Sequence, residues 1–297
     1  MHIALKVDVD TLKGTQQGVP NLVKLFEQYN VKATFLFTLG PDNTGRALLR
    51  LFRPGFLAKV MRTSVTSHYG FKTLLYGTLI PGPHIGRRTA DIMRSVAAAG
   101  HEVGIHCYDH VRWQDFVAKK NAQWTGKQMQ LAADTFREIF GQDAKTHGAA
   151  GWQINAHALQ YEEKMGLTYA SDVRGESPFL PIMDNREFHC PQIPTTLPTV
   201  DELIGRMNIS QDNVHDIIFK ESRKQLAHGH VFTLHAELEG LQFLSSLEKL
   251  LVQWQNAGDK VGTVYDTYKS LDLEQLERRQ IVWKEIPGRS GKLAIQQ

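Results

Sequence analysis

A chain of 297 residues, 42% hydrophobic and 22% charged, has ordinary globular composition and is long enough for one large α/β domain. That composition excludes disordered, collagen-like and coiled-coil chains, and no run of about eighteen apolar residues offers a membrane-spanning helix. The 34 Lys and Arg against 31 Asp and Glu give a net charge of +3, but the balance is uneven. From Asn43 to Ala90 there is no acid, while Arg46, Arg50, Arg53, Lys59, Arg62, Lys72, Arg87 and Arg88 supply eight cations. A basic zone in an otherwise acidic chain reads as a surface for anions: phosphate, nucleic acid or anionic lipid. Cys107 and Cys190 provide neither a disulfide framework nor a four-thiolate zinc site, and so fit a reducing compartment. Asp8 and Asp10 stand where a signal peptide would need its apolar stretch, so a cytoplasmic location is expected.

HIALKVDV is an apolar strand ending in carboxylates, and helical spacing follows from Val19 to Tyr29, with Pro20 in the permissive first turn. Ala33–Phe37 is a second buried strand. A helix over Ala90–Ala99 stops at Gly100, and His101–His106 is the next strand. Thr125 can cap a helix running to Phe140, with Gly141 after its end. Strands near Lys145–Ala149 and Thr168–Ser171 bracket a helix over His157–Met165. Later come a helix around Asn213–Leu226, the strand His230–His235, a helix from Leu241 to Asn256 and a short strand at Val261–Val264. Strands alternating with amphipathic helices predict an α/β fold with a mainly parallel sheet, either a barrel or doubly wound. The expected organisation is one domain over residues 1–272, with a basic insertion at 43–90. Residues 273–297 lose apolar periodicity and are expected to be an appendage.

Three strand ends carry the chemistry. Asp8 and Asp10 end the first, His106 ends another and is followed four residues on by His110, and His235 ends the late strand. Parallel α/β sheets bring such residues together on one face. An HxxxH pair on one helical turn presents both imidazoles to a single ion, and one of the two aspartates would complete the ligand set. Alternation along a strand puts Asp8 and Asp10 on the same side. One can therefore hold the metal while the other accepts a proton from water, and His235 remains as a general acid. Each element alone is weak, since thirteen histidines make some HxxxH spacing expected by chance. The weight lies in their joint placement.

KVDVDT (Lys6–Thr11), HEVGIHCYDH (His101–His110), YASDVRG (Tyr169–Gly175) and FTLHAE (Phe232–Glu237) resemble the NodB-type polysaccharide deacetylases, carbohydrate esterase family four. The resemblance runs from Ile3 to Leu271 and includes GVPNL, TLGPDN, GAAGW and QIPTTLPT. It is greatest to the branch of undecaprenyl-phosphate aminosugar deformylases and deacetylases. It implies a distorted (β/α) barrel of about seven strands, with Asp8 as base, His235 as acid, and Asp10, His106 and His110 as metal ligands. It also implies one divalent ion, with zinc favoured and cobalt, manganese or nickel as alternatives. Val9 separates aspartates that the family usually has adjacent, and GAAGWQ (Gly148–Gln153) stands where an arginine is usual. Arg174 is expected to stand in for that arginine and hold Asp8 ionised, with Asp172 orienting His235; a surface ion pair between Asp172 and Arg174 is the alternative.

Leu48–Arg62 mixes Leu48, Leu51, Phe52, Phe56 and Leu57 with Arg50, Arg53, Lys59 and Arg62, and Arg46 lies just ahead. These residues are expected to meet an anionic inner-membrane surface or a lipid phosphate, each cation being worth about 1 kcal/mol there. Nucleic acid is not expected, because the aromatics do not alternate with the cations as stacking sites would. The expected function is metal-dependent removal of a formyl or acetyl group from an amino sugar on undecaprenyl phosphate, in lipid A and lipopolysaccharide modification. The enzyme would be peripheral on the cytoplasmic face of the membrane. A soluble polysaccharide or peptidoglycan N-deacetylase is the alternative. A non-catalytic metal or lipid-carrier binding protein is disfavoured, because it needs neither base nor acid.

Overall fold

The computed structural model describes residues 1–47 and 75–297. Arg50, Arg53, Lys59, Arg62 and the apolar residues between them lie outside the described residues.

Strand β1 (His2–Val9) is central to the molecule, buried at every position after His2. It pairs in parallel with β2 (Thr34–Thr38) on one side and β8 (His230–His235) on the other, and β9 (Lys260–Gly262) pairs with its first residues. Strands β3 (Glu102–Cys107), β4 (Thr146–His147) and β5 (Tyr169–Ala170) extend the sheet. The order is β5-β4-β3-β2-β1-β8 with β9 beside β1, seven strands with every pairing parallel. Both faces of such a sheet are covered, which is why these strands read as continuous apolar runs. The sheet curls into the distorted (β/α) barrel that the sequence leads one to expect. Its register places Asp8 directly beside His235.

Helices α1 (Val19–Gln28), α2 (Ile85–Ala98), α3 (His110–Phe116), α4 (Ala122–Phe140) and α5 (Ala156–Met165) follow the successive strands. After β5 come the hairpin strands β6 (Leu180–Met183) and β7 (Arg186–Glu187), then α6 (Val200–Leu203) and α7 (Val214–Glu221). Helices α8 (Leu244–Asn256) and α9 (Val264–Lys269) complete the barrel wall. Several boundaries differ from the sequence reading for local reasons. Asn121, not Thr125, caps α4, accepting from the Trp124 amide at 3.0 Å. Helix α2 starts at Ile85, with His84 as its cap, and residues 241–243 form a turn before α8. No helix among the described residues is long and apolar enough to cross a membrane.

Residues 273–297 are not irregular. They include β10 (Arg278–Glu285) and β11 (Lys292–Gln296), an antiparallel pair whose first strand runs parallel to β6. Most of β10 faces solvent, and Ile281, Leu293 and Ala294 are the buried apolar residues of the pair. Three buried apolar positions over two strands leave little periodicity to read.

Phe35 is fully buried between Phe26, Phe37 and His101, at centroid distances of 6.1, 6.2 and 5.1 Å. Burial, with the charge of Lys32 adding to it, pushes the imidazole of His101 down to about 4, so it sits in this cluster as a neutral ring. Phe35→Ala should cost about 3–5 kcal/mol in denaturant unfolding. A loss below about 1 kcal/mol would mean that this cluster does not hold β2 to α1.

Candidate metal and acid–base site

Asp10 follows β1, His106 lies in β3, and His110 opens α3. The two histidines are therefore not neighbours on one helical turn, as their spacing suggests. A strand, a turn and a helix start bring them together, with Asp109 capping α3 by accepting from the Arg112 amide at 3.1 Å. The convergence itself holds. Asp10 Oδ1 is 3.3 Å from His106 Nε2, and Asp10 Oδ2 is 3.4 Å from His110 Nε2. One ligand atom from each residue lies within 4.8 Å of the others.

The hydrogen bonding tests whether these residues fit a cation. His106 Nδ1 is 2.6 Å from the Gly148 carbonyl. A carbonyl only accepts, so Nδ1 carries a proton, and in the neutral ring this leaves Nε2 with a lone pair toward Asp10. Two acceptors facing each other at this distance call for a positive charge between them. Asp10 Oδ1 is also buried without a hydrogen-bond partner. Burial would raise the Asp10 carboxyl, but His110, His106 and His235 together hold it well below the usual carboxylate range. Such a donor set fits a divalent ion.

Asp8 is almost fully buried. Its Oδ2 is 3.6 Å from Lys6 Nζ, whereas its Oδ1 has no hydrogen-bond partner and lies 3.9 Å from His106 Nδ1. Lys6 is wholly buried, donates to the Ser171 carbonyl at 2.9 Å, and lies 5.6 Å from the Trp152 ring. The sequence carried a signal for it: two residues before Asp8 on an apolar strand, a lysine must point to the same side. A charge there needs a partner.

His235 ends β8, and its Nδ1 is buried without a hydrogen-bond partner. Burial pushes its imidazole down, but Asp201 first, then Asp10, Glu239 and Asp8, act in the opposite sense and leave it raised. Two acids just after it, Glu237 and Glu239, hold the surrounding backbone. Glu237 Oε1 accepts from the Thr11 amide and hydroxyl at 2.8 Å and from the Asp10 amide at 3.0 Å. Glu239 Oε2 accepts from the His235 amide at 2.8 Å. Burial raises Glu237 to about 8, with the charge of Asp10 adding to it, and raises Glu239 to about 7. A Cβ on Gly14 would fall 1.9 Å from Glu237 Oε1, so a larger residue there would push this carboxylate off the amides it gathers.

The two expected supporting residues serve elsewhere. Asp172 does not reach His235. Its Oδ1 is 2.8 Å from His147 Nδ1 and accepts from the Ala149 amide at 2.7 Å, and its Oδ2 accepts from Gln192 at 2.7 Å. Glu162 lies 2.9 Å from the same imidazole nitrogen. Burial opposes the charge on His147, yet the two acids raise it to about 10. The cluster is internally paired and holds residues 147–149, among them the Gly148 carbonyl that orients His106. Arg174 pairs with Glu202 at 2.6 Å and donates to the Leu197 carbonyl at 2.9 Å, so Lys6 is the cation beside Asp8. Of the expected lipid-facing cations, Arg46 is described, donating to the Gly77 carbonyl at 2.8 Å.

A parallel (β/α) barrel with an Asp-His-His set at its strand ends defines a class of metal-dependent hydrolases, and the sequence profile of polysaccharide deacetylases matches residues 2–170. The chain belongs to this family. Over 99% of its length it is 36% identical to a protein of Shewanella sediminis named as a probable 4-deoxy-4-formamido-L-arabinose-phosphoundecaprenol deformylase, of which 94% is covered. A protein of Wigglesworthia glossinidia brevipalpis with the same name is 33% identical, over 96% of this chain and 98% of its own length. Among solved structures, one from Mycobacterium smegmatis described as a polysaccharide deacetylase superposes with a TM-score of 0.63 at 16% identity. It covers 96% of this chain and 94% of its own, and it supports the fold.

Removing one partner of a buried ion pair typically costs about 3–5 kcal/mol, because the other charge is left alone. Lys6→Met should therefore destabilise the protein by about that amount in thermal or denaturant unfolding. Adding Asp8→Asn should restore about 1 kcal/mol or more of it, because the stranded charge is gone. Simple additivity of the two losses would show that Lys6 is not the counter-charge of Asp8.

Proposed function

We propose that the protein is a divalent-metal amide hydrolase that removes the formyl group from an amino sugar carried on undecaprenyl phosphate. The observation that carries this reading is the division of labour between the two carboxylates. Asp10 faces both imidazoles, while Asp8 has one oxygen near Lys6 and the other buried without a partner. The substrate class is supported by the names of relatives at 36% and 33% identity across nearly the whole chain. A soluble polysaccharide is the weaker reading, because the solved deacetylases share much less sequence.

Asp10, His106 and His110 would hold the ion, with zinc the metal that best suits one carboxylate and two imidazoles. The chemistry contributed by such an ion is Lewis acidity toward the acyl oxygen and the attacking water. Asp8 Oδ1 takes the proton of that water, while Lys6 keeps the other oxygen from turning into the site. Attack on the amide carbon forms a tetrahedral centre, and its collapse expels the sugar nitrogen. His235, whose neighbouring acids favour its charged form, gives that nitrogen a proton. Base and acid serve different atoms, and β1 and β8 hold them side by side in register. The products are formate and a free amine on the lipid-linked sugar. The amine is cationic near neutrality, which fits a role in lipid A modification.

A polyprenyl tail stays in the bilayer, since each buried CH₂ is worth about 0.8 kcal/mol. The enzyme would therefore work at the cytoplasmic face of the inner membrane, with Arg46, Arg50, Arg53, Lys59 and Arg62 meeting the lipid phosphate and its anionic surroundings.

Mass analysis of products from formylated and acetylated lipid-linked amino sugars tests the assignment. The formylated substrate should be consumed, the acetylated one more slowly by about 10–200-fold, the usual reach of a one-methyl discrimination. Asp8→Asn and His235→Ala should each lower kcat by about 10²–10⁴-fold with metal still bound. Turnover should fall on the alkaline side as His235 loses its proton. Wild-type kcat in either variant, or preference for a soluble acetylated oligosaccharide, would refute the reading.

A further inference from the structure

The C-terminal hairpin reaches the catalytic end of the barrel through one side chain. The turn between β10 and β11 carries Arg289, nine-tenths buried, which grips Asp201 with two nitrogens, Nη1–Oδ2 at 2.9 Å and Nη2–Oδ1 at 3.0 Å. Its Nε donates to Glu202 at 2.9 Å and its Nη2 also donates to the Thr199 hydroxyl at 3.0 Å. The guanidinium lies 4.6 Å from the Trp152 ring, the same ring that Lys6 approaches from the Asp8 side. Trp152 is held there in a left-handed backbone conformation, φ 51°, which a bulky residue adopts only when its surroundings impose it.

The hairpin is seated to deliver this arginine. Gly288 has φ 93°, and a Cβ on it would fall 2.3 Å from the Glu202 carbonyl, so turn and α6 are in backbone contact. The Arg174 amide donates to the Ala294 carbonyl at 3.0 Å, and the Gln296 amide donates to the Arg174 carbonyl at 2.8 Å. Asp201 also accepts from the Thr199 hydroxyl at 2.6 Å. Trp152 itself donates its Nε1 proton to the Thr195 hydroxyl at 3.2 Å, which lies 2.7 Å from the Thr233 hydroxyl, two residues before His235 on the same side of β8. Asp201, gripped by the arginine that covers this indole, is also the first of the acids that raise His235. The charge of Asp10 in turn reaches Arg289. Arginine suits this place because its planar fork fixes a carboxylate in orientation as well as in charge, which a lysine cannot do.

We propose that the C-terminal hairpin is part of the catalytic apparatus, with Arg289 a positioning residue that fixes the Asp201 carboxylate on the His235 side of the site. The proposal rests on the reading of His235 as proton donor to the leaving amine. An arginine that only fastened the hairpin would affect folding but not the chemical step.

Kinetics on the full-length, metal-loaded protein separate these roles, using the lipid-linked formamido sugar with Arg289→Ala, Arg289→Lys, Asp201→Asn, the Arg289→Ala/Asp201→Asn pair and His235→Ala. Arg289→Ala should lower kcat by about 10–100-fold, short of what a missing acid–base group costs, with KM within about threefold. Metal content should be unchanged. The double variant should be no slower than Asp201→Asn, because Arg289 acts through Asp201. Arg289→Lys should recover part of the rate, and it decides the matter should Arg289→Ala not fold: wild-type kcat in Arg289→Lys would overturn the proposal. Additive losses in the double variant, or a loss confined to KM or to metal content, would overturn it equally. His235→Ala distinguishes the two layers. If that variant keeps its turnover, the proton-donor reading fails and takes this proposal with it. If it is inactive while Arg289→Ala is not, the proposal about the hairpin alone fails.

Discussion

Charge taken out of water at the ends of buried parallel strands has to be paired within the protein, and the site is organised by that constraint. An unpaired buried carboxylate costs several kcal/mol, so three acids at the barrel mouth have a basic partner, while Glu237 and Glu239, raised toward their neutral forms, are held by backbone amides. Asp10 has two imidazoles, Asp8 has Lys6, and Asp172 has His147. The exceptions are the informative atoms. Among the buried side-chain atoms without hydrogen-bond partners, Asp8 Oδ1, Asp10 Oδ1, His235 Nδ1, Glu237 Oε2 and Glu239 Oε1 gather at the ends of β1 and β8. Native proteins leave few such atoms, and where they gather, a ligand or reacting group is the ordinary explanation.

The pairing also fixes geometry. His106 presents Nε2 to the site because its Nδ1 proton is taken by the Gly148 carbonyl. That carbonyl is held by residues on either side of it, His147 and the Ala149 amide, both bound to Asp172. A Cβ on Gly148 would lie 2.3 Å from Leu36 Cδ1 and 3.0 Å from Lys6 Cε, so a larger residue would displace its buried neighbours. Support of this kind, behind residues that would ligate a metal, commonly changes metal affinity by about 10–100-fold when it is broken. Glu237 does similar work at the other end of the site, gathering the amides of Asp10 and Thr11. The strand ends are thus tied to one another by side chains far apart in sequence.

That long-range character explains what could and could not be read from the sequence. Buried parallel strands are apolar runs, so β1, β2, β3 and β8 were legible, and the polar residues terminating them stood out. Asp8, Asp10, His106, His110 and His235 could be singled out for that reason, and the structure brings Asp10 together with both imidazoles and sets Asp8 beside His235. Helix and strand edges were misplaced where capping side chains decide them, as at Asn121 and His84. Lys6 was not singled out, although a local rule broken inside a core often marks function. The partners of Asp172 and Arg174 could not be read at all, because His147 and Glu202 meet them only through the fold. Arg289 was hidden for the same reason, at the turn of a hairpin with few buried positions and hence little periodicity.

The proposed amide hydrolysis requires a cation at Asp10, His106 and His110. Formate release from the lipid-linked formamido sugar, followed as bound metal is removed by a chelator and then restored, measures this directly. Release should fall in proportion to the metal lost and return when one equivalent of zinc is added back. In His106→Ala the same addition should restore nothing. Undiminished formate release from protein shown by elemental analysis to be free of metal would contradict the account.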